Sequence, residues 1–207
     1  MTQTETGSRT RRRPTTHALD AQTQILEAAD TLFYREGARA VGVDAVVKLA
    51  GLNKMSLYRQ FESKDALLLH YLERRAQRFW GYFEASVARH PGQPREQLLQ
   101  FFRDLATRAT HPSYRGCPFV NIAAEFPDPT HPARLAVATN KTQLMERLRA
   151  LAREADSPAP ERLASGLALL IEGTYAASQT YPPGHPVVMA AVDTARTLLD
   201  ALAPGTA

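Results

Sequence analysis

The stretch from Val43 to Phe61 constrains the fold more than any other part of the chain, because its pattern predicts two short helices joined by a tight turn. Gly51 supplies the left-handed backbone conformation that a helix end favours. Asn53 can then cap the second helix by accepting a hydrogen bond from a free backbone N–H. The apolar residues before the turn recur at helical spacing; they are Val43, Val46, Val47 and Ala50.

The second of these helices has one apolar side and one polar, basic side. Leu57 and Phe61 are spaced four apart and are expected to anchor the helix to a core. A short helix with polar, basic and aromatic residues on its free side fits the major groove of DNA. The residues at its start and on that side are Lys54, Met55, Ser56, Tyr58 and Arg59.

A longer run around this stretch carries a family resemblance. Its parts occur in a fixed order: Ile25-Leu26-Glu27-Ala28-Ala29, Leu32-Phe33, Glu36-Gly37, Ala50-Gly51-Leu52, Ser56-Leu57-Tyr58-Arg59-Gln60-Phe61 and Ser63-Lys64-Asp65-Ala66-Leu67-Leu68. From Thr23 to Glu73, about a quarter of the chain, the sequence resembles the DNA-binding domain of the TetR family of transcriptional regulators. The resemblance implies an all-α fold of about nine helices, with an N-terminal three-helix helix-turn-helix domain and a C-terminal helical domain for effector binding and dimerisation.

The rest of the chain is consistent with that plan. Beyond the motif, helices are predicted over about Asp20–Glu36, Lys64–Arg89, Arg95–Ala109, Phe119–Phe126, Pro132–Glu154, Glu161–Tyr181 and Pro186–Ala203, and proline-rich breaks separate most of them. We expect residues 1–18 to be a disordered basic arm. We expect residues 19–79 to form the DNA-binding domain, with its motif at 42–61, and residues 80–207 to form the effector-binding and dimerisation domain.

Composition and charge bound the class of protein. No run of about 18 apolar residues indicates a membrane span, and the N-terminus lacks the apolar stretch of a secretory signal. The single cysteine is typical of a reducing cytoplasm. Residues 1–80 hold 13 Lys/Arg and 9 Asp/Glu, whereas residues 81–207 hold 12 of each. All the net charge of +4 therefore lies in residues 1–80, which contain the predicted basic arm and DNA-binding domain, as phosphate binding requires, although so small an excess also arises by chance.

The resemblance assigns DNA contacts residue by residue. Ser56, Tyr58 and Lys64 match positions where the family typically contacts phosphates. Arg59 can form hydrogen bonds with guanine, and Met55 can lie against a thymine methyl group. The alternative role for Tyr58 is packing beside Phe61, and the alternative for Arg59 is a solvated surface charge. The remaining predicted contacts are Val43, Asp44, Asn53 and Lys54, and Arg9, Arg11, Arg12 and Arg13 either enter a minor groove or form a solvated tail.

Three positions depart from the family pattern and put the base preference in doubt. Gly42 stands where a Ser or Thr usually caps the second helix, so that cap is expected to be weaker. Asp44 brings a carboxylate near the phosphate path, where its alternative role is to favour the helix N-terminus through the dipole. Met55 replaces a small residue at the start of the recognition helix.

The resemblance also implies a small-molecule cavity and a dimer. The aromatic candidates for the cavity wall, with ordinary core packing as the alternative, are Trp80, Phe83, Phe101, Phe102, Tyr114, Phe119, Phe126 and Tyr175. Cys117 is a further candidate, and the polar candidates are Asn121, Glu125, Gln143 and Gln179. The last two helices carry apolar stripes that face either a second copy of the chain or their own core. The residues predicted at the dimer interface are Leu167, Leu170, Thr174, Val188, Val192, Ala195 and Leu199.

Cys117 receives a separate interpretation. It lies near an expected helix start and close to Arg115, and both features would lower the pKa of a thiol. The segment from Gly116 to Glu125 is similar to one in a branch of the family that includes sensors of electrophiles and oxidants. A thiol-based repressor acting through Cys117 is therefore an alternative function, and a small buried apolar residue is the other reading.

A metal site or an enzyme is the competing class. His111, Cys117, Asp128 and His131 fall within about twenty residues, but their spacing matches no regular zinc pattern. The chain lacks His-Glu-x-x-His, Gly-x-Ser-x-Gly and a glycine-rich phosphate loop. The sequence therefore predicts a homodimeric DNA-binding regulator without cofactor, most simply a repressor that a small molecule releases from a near-palindromic operator.

Overall fold

The computed structural model describes residues 16–203, with side chains from Asp20 onward. Nine α-helices and no strand make up this part of the chain, which confirms the all-α prediction. None of these helices is long and apolar enough to cross a membrane. The helices are α1 (Thr16–Glu36), α2 (Val43–Leu49), α3 (Lys54–Gln60), α4 (Lys64–Val87), α5 (Pro94–Ala109), α6 (Pro118–Glu125), α7 (Pro132–Glu154), α8 (Pro160–Thr180) and α9 (Pro186–Leu202).

The helix ends differ from the predicted ones by a few residues. α1 begins at Thr16, so residues 16–18 are helical and not part of a disordered arm, while Arg9, Arg11, Arg12 and Arg13 lie outside the described residues. α5, α6 and α8 each begin one residue earlier than expected, at a proline. Proline suits the first helical position because its φ angle is already helical and its missing N–H would have had no partner there.

The first four helices enclose a small core of their own. α1 contacts α2, α3 and the N-terminal part of α4. Ile25 and Phe33 of α1, Val46 of α2 and Leu57 of α3 are all buried in it. The ring of Phe33 meets that of Tyr71 on α4 edge-on, with 5.6 Å between centroids. The burial of Leu57 confirms that it anchors the second helix of the motif.

α4 continues beyond this unit into the second half of the molecule. It contacts α5, α6 and α7, and its Phe83 is buried against Phe101 of α5 at a ring-centroid distance of 4.7 Å. Phe79 and Trp80 join the same aromatic cluster. The expected boundary between residues 79 and 80 therefore falls inside one continuous helix.

The last two helices pack against each other and against α5 and α7. This packing corrects the predicted dimer interface, because most of its residues are buried within the single chain. Leu170 and Val192 are partly buried and also pack on the core. The apolar stripes thus face their own protomer, and the buried residues are Leu167, Thr174, Val188, Ala195 and Leu199.

Candidate nucleic-acid interface and effector cavity

The turn between α2 and α3 has the geometry that its sequence predicts. Gly51 adopts a left-handed φ of +67°, which a residue with a Cβ rarely adopts. Asn53 caps α3: its Oδ1 accepts hydrogen bonds from the Ser56 backbone N–H at 2.9 Å and from the Ser56 hydroxyl at 3.2 Å. Gly42 precedes α2 without any side-chain cap, as expected. The capped helix is α3, which carries the predicted base contacts.

One side of α3 is free of the protein. Met55 is 66% exposed and Tyr58 is 53% exposed, and Lys54 and Arg59 are exposed as well. Tyr58 is therefore not packed into the core beside Phe61. A basic and aromatic surface of this kind can lie against phosphates and base edges.

An ion pair that the sequence did not predict lies at the start of this surface. Nζ of Lys54 is 2.9 Å from Oδ1 of Asp44 on α2, and both side chains are largely exposed. The hydrogen bond to Asp44 raises the pKa of Lys54. The Asp44 carboxylate thus pairs with one of the cations that the sequence predicted as DNA contacts.

Lys64 occupies a different environment from α3. Its Nζ donates a hydrogen bond to the backbone carbonyl of Arg39 at 3.2 Å, and partial burial lowers its pKa. The Arg39 backbone N–H in turn donates to a Glu125 carboxylate oxygen at 2.6 Å. Lys64 therefore stands beside a contact between the α1–α2 connection and the end of α6.

A second contact of this type joins α1 to the segment before α6. The Tyr34 hydroxyl donates to the Gly116 carbonyl at 3.1 Å and accepts from the Arg115 backbone N–H at 2.8 Å. Gly116 has a φ of +66°, and an added Cβ there would lie 2.5 Å from Nε2 of Gln179. Desolvation raises the pKa of Tyr34, so the phenol stays protonated and keeps both bonds.

A cavity of about 480 Å³ lies directly beside this contact. Its wall includes Tyr114, Cys117, Phe119 and Tyr175, which the sequence proposed. The sequence analysis missed the polar residues of the wall, because helical periodicity does not show which polar side chains face a cavity. They include Tyr34, Arg75, Arg78, Arg108, Asn140 and Lys141.

Several residues predicted for the cavity lie elsewhere. Phe83, Phe101 and Phe102 are fully buried core residues, and Trp80 packs against Phe79 and Phe83. Asn121 donates to the Arg115 carbonyl at 2.9 Å, and Glu125 accepts from Arg39. Phe126 packs beside His131, while Gln143 and Gln179 are exposed. Helical periodicity shows which aromatic residues point toward the protein interior, but it does not show which of them line the cavity.

Positive charges surround the cavity, and most have a partner behind the wall. Asp30 on α1 pairs with Arg75 at 2.8 Å and with Arg78 at 2.7 Å. Lys141 pairs with Glu172. Arg108 instead lies over the Tyr82 ring, 5.0 Å from its centroid. The cavity wall is therefore apolar and aromatic, and its charged side chains together with their acidic partners carry a net positive charge.

Cys117 is 5% exposed and is the N-cap residue of α6. Nζ of Lys141 is 3.6 Å from its sulfur. Burial raises the pKa of the thiol and outweighs the lowering effect of Lys141, so the expectation of a lowered pKa is wrong. The Arg115 guanidinium donates instead to the Arg35 carbonyl on α1.

The residues considered as metal ligands have separate local roles. Nδ1 of His131 accepts from the Ala133 N–H at the start of α7. Asp128 accepts from the Thr130 N–H and hydroxyl, which lowers the pKa of its carboxyl. His111 contacts Ser113. Within residues 20–203, no three His, Cys, Asp or Glu side chains are placed to hold a metal ion.

Comparison with known proteins gives a consistent result for both halves. Residues 25–71 match the family described as "Bacterial regulatory proteins, tetR family". Residues 92–187 match the family described as "Tetracyclin repressor-like, C-terminal domain". The first match runs from within α1 to within α4, and the second covers α5 to α8 and ends at the start of α9.

Individual relatives agree with these matches. A solved TetR-family regulator from Streptomyces coelicolor has a TM-score of 0.85 and 27% identity, over 89% of this chain and 97% of that one. A protein from Streptomyces avermitilis, assigned as a TetR transcriptional regulator, has a TM-score of 0.77 and 34% identity, over 88% and 97%. An uncharacterised HTH-type regulator from Mycobacterium tuberculosis is 33% identical over 79 residues, which span 38% of this chain and only 39% of that relative.

Proposed function

Because this chain belongs to the TetR family of transcriptional regulators, we propose that it binds operator DNA as a homodimer and that a small molecule in its cavity releases it. The observation that carries the proposal is the combination of a capped, outward-facing α3 with a cavity whose wall touches α1. The family consists of DNA-binding transcription factors rather than enzymes. Repression is the simplest consequence, since a bound dimer blocks its promoter.

The proposed DNA surface is the exposed side of α3. Arg59 offers a planar guanidinium for guanine O6 and N7, and Met55 offers an apolar surface for a thymine methyl group. Tyr58, Ser56 and Lys54 are proposed phosphate contacts that fix the register. Four further residues are proposed to act at the edge of this surface: Val43, Asp44, Asn53 and Lys64. Nζ of Lys64 also donates a hydrogen bond to the Arg39 backbone carbonyl.

The proposed dimer uses the outer sides of α8 and α9, because the inner sides are occupied by the protomer core. Leu169 is 74% exposed, an unusual fraction for a leucine in the middle of a helix. Gly173 and Ala176 lie four and seven residues further on the same exposed side of α8 and allow close approach of a second helix. Such a dimer would present two copies of α3 to one face of DNA and so favours a near-palindromic operator.

Two contacts provide a physical route from the cavity to α3. Tyr34 is at once a wall residue and a partner of Gly116 and Arg115. Glu125, at the end of α6, holds the connection between α1 and α2 through Arg39. A ligand that moves the start of α6 therefore changes how α1 sits, and the effector and DNA affect each other's affinity by the same factor.

Electrophile sensing through Cys117 is a second candidate, and one observation favours it: the sulfur lines the cavity close to the Lys141 ammonium. The raised pKa of the thiol opposes it. Treatment with a quinone separates the two. If a quinone releases DNA from the wild-type protein and from Cys117→Ser to the same extent, the thiol is not the sensor.

Fluorescence anisotropy with DNA flanking the gene tests the proposed function. Wild type is compared with Tyr58→Ala, and Tyr181→Ala serves as the matched control because Tyr181 is also exposed but lies at the end of α8. We expect tight binding that depends steeply on salt, weaker binding for Tyr58→Ala and unchanged binding for Tyr181→Ala.

Two results would contradict this assignment. Equal affinities of Tyr58→Ala and wild type would remove Tyr58 from the DNA surface. Absence of binding to flanking and to genomic fragments at every salt concentration would remove the DNA-binding function itself.

A further inference from the structure

The cavity combines an aromatic wall with one cation that has no acidic partner. Resting on the proposed function, we propose that its effector is an aromatic carboxylate whose carboxylate group binds the Arg108 guanidinium.

The charge of the wall selects an anion. Four cationic side chains line the cavity, and no Asp or Glu is among its described lining residues. Asp30 pairs with both Arg75 and Arg78, and Glu172 pairs with Lys141, so two carboxylates offset two of the four positive charges. No carboxylate within residues 20–203 forms an ion pair with Arg108. A cationic effector would therefore meet repulsion, whereas an anion reduces the net positive charge of the wall.

Arg108 is held in a position to form that pair. Its guanidinium lies 5.0 Å from the Tyr82 ring centroid and 6.0 Å from that of Phe101. Stacking on rings leaves the planar N–H fork of an arginine free at its edge, and this fork matches a carboxylate through two parallel hydrogen bonds. A carboxylate is favoured over a lone hydroxyl because it can accept both.

A buried amide supplies independent evidence for a ligand. Asn140 on α7 lines the cavity and is only 6% exposed, and its Nδ2 has no hydrogen-bond partner in the part of the chain that the structure describes. Buried amides are rarely left without a partner in folded proteins. An acceptor on a bound molecule would satisfy it.

Two tyrosines add further donors at the same place. Burial raises the pKa values of Tyr114 and Tyr175, so both phenols stay neutral and able to donate, and the charge of Arg108 acts on both. The polar groups therefore include one guanidinium, one amide and two hydroxyls. They suit an oxyanion, which accepts from each of them.

The remaining wall selects an aromatic body for the ligand. Phe79, Phe119 and Leu144 line the cavity together with the tyrosine rings. Flat aromatic molecules gain both buried apolar area and ring contacts in such a space, and a cavity of about 480 Å³ lies within the range used for small organic ligands. The ligand class is thus an aromatic ring system that bears a carboxylate.

Isothermal titration calorimetry at pH 7 with three probes of one shape tests the proposal. The probes are 2-naphthoate, neutral 2-naphthamide and cationic 2-naphthylmethylammonium. Each is titrated into wild type, Arg108→Gln and Arg108→Lys. Arg103→Gln is the matched control, because Arg103 lies on the same helix but outside the cavity and pairs with Glu96. Thermal melting verifies that each variant is folded.

We expect wild type and Arg103→Gln to bind 2-naphthoate at least tenfold more tightly than 2-naphthamide, the size of one charge-assisted bond. Arg108→Gln should lose this preference, and Arg108→Lys should keep part of it. Equal or tighter binding of the amide or the ammonium would overturn the proposal. So would an unchanged preference in Arg108→Gln, or no binding of 2-naphthoate to wild type.

The same protein preparations are tested for binding to flanking DNA, which separates the two proposals. If the protein binds DNA but not 2-naphthoate, the proposed ligand class is wrong and the proposed DNA-binding function stands. If the protein binds 2-naphthoate through Arg108 but does not bind DNA, the proposed ligand class stands and the proposed DNA-binding function is wrong.

Discussion

The Tyr34 hydroxyl is the sharpest point at which to test the contact between the two halves of the molecule. Tyr34→Phe removes one oxygen and keeps the ring, which also keeps the Arg75 guanidinium 4.1 Å from the ring centroid. Among the described residues, the bonds lost are those to the Gly116 carbonyl at 3.1 Å and from the Arg115 N–H at 2.8 Å. The change therefore isolates two hydrogen bonds from packing and from the cation–π contact.

The expected loss follows from these two bonds. A net contribution of about 0.5–1.5 kcal/mol for each intramolecular hydrogen bond gives about 1–3 kcal/mol for the pair. The Gly116 bond is long and Arg115 is exposed, so water replaces part of the loss. We expect the free energy of unfolding to fall by about 1–2 kcal/mol.

Urea unfolding at fixed protein concentration measures this difference. Tyr82→Phe is the control, because Tyr82 is 53% exposed and its hydroxyl forms no hydrogen bond within residues 20–203; we expect a change below about 0.5 kcal/mol there. Equal midpoints and slopes for Tyr34→Phe, Tyr82→Phe and wild type would refute the reasoning, since the bridge would then contribute nothing to stability.

Four further predictions concern single features. Asn53→Ala should weaken operator binding about fivefold in anisotropy titrations because it removes a cap worth about 1 kcal/mol, whereas Asn53→Ser should retain most of the affinity. Asp44→Asn should strengthen that binding and steepen its salt dependence, since it frees Lys54; an unchanged slope would contradict this. Leu169→Arg should shift the protein from dimer to monomer in sedimentation, whereas Leu135→Arg, at an exposed leucine of α7 outside the proposed dimer surface, should not. Raising the pH above 10 should lower the free energy of unfolding measured by urea titration. Tyrosine side chains with raised pKa values stabilise the fold below pH 10, and this contribution is lost as they ionise; they are Tyr34, Tyr71, Tyr114 and Tyr175. Cys117→Ser should show most of the same loss of stability.

Local signals in the sequence predicted local structure well. The Gly51 turn, the Asn53 cap and the helix breaks at prolines depend on neighbours within a few residues, so the pattern alone determines them. The sequence also predicts that Leu57 is an anchor, because a short amphipathic helix packs on the core through its single apolar side.

Long-range packing decided the features that the sequence could not predict. Leu167 and Leu199 follow the same periodicity whether they face their own core or a second chain, and only the packing of α5, α7, α8 and α9 separates the two. The cavity shows the same limit. Phe102 and Tyr114 are both aromatic, but only Tyr114 faces the empty space.

The seven-residue length of α3 has a practical consequence for redesign. Leu57 anchors α3 to the core and is buried. The side chains at four other positions are exposed and contribute little to the stability of the fold; they are Lys54, Met55, Tyr58 and Arg59. The proposed DNA-contacting surface can therefore be changed with little effect on the fold. Its four positions can be varied together in a library to retarget the protein to new operators, while the cavity and its ligand preference stay as they are.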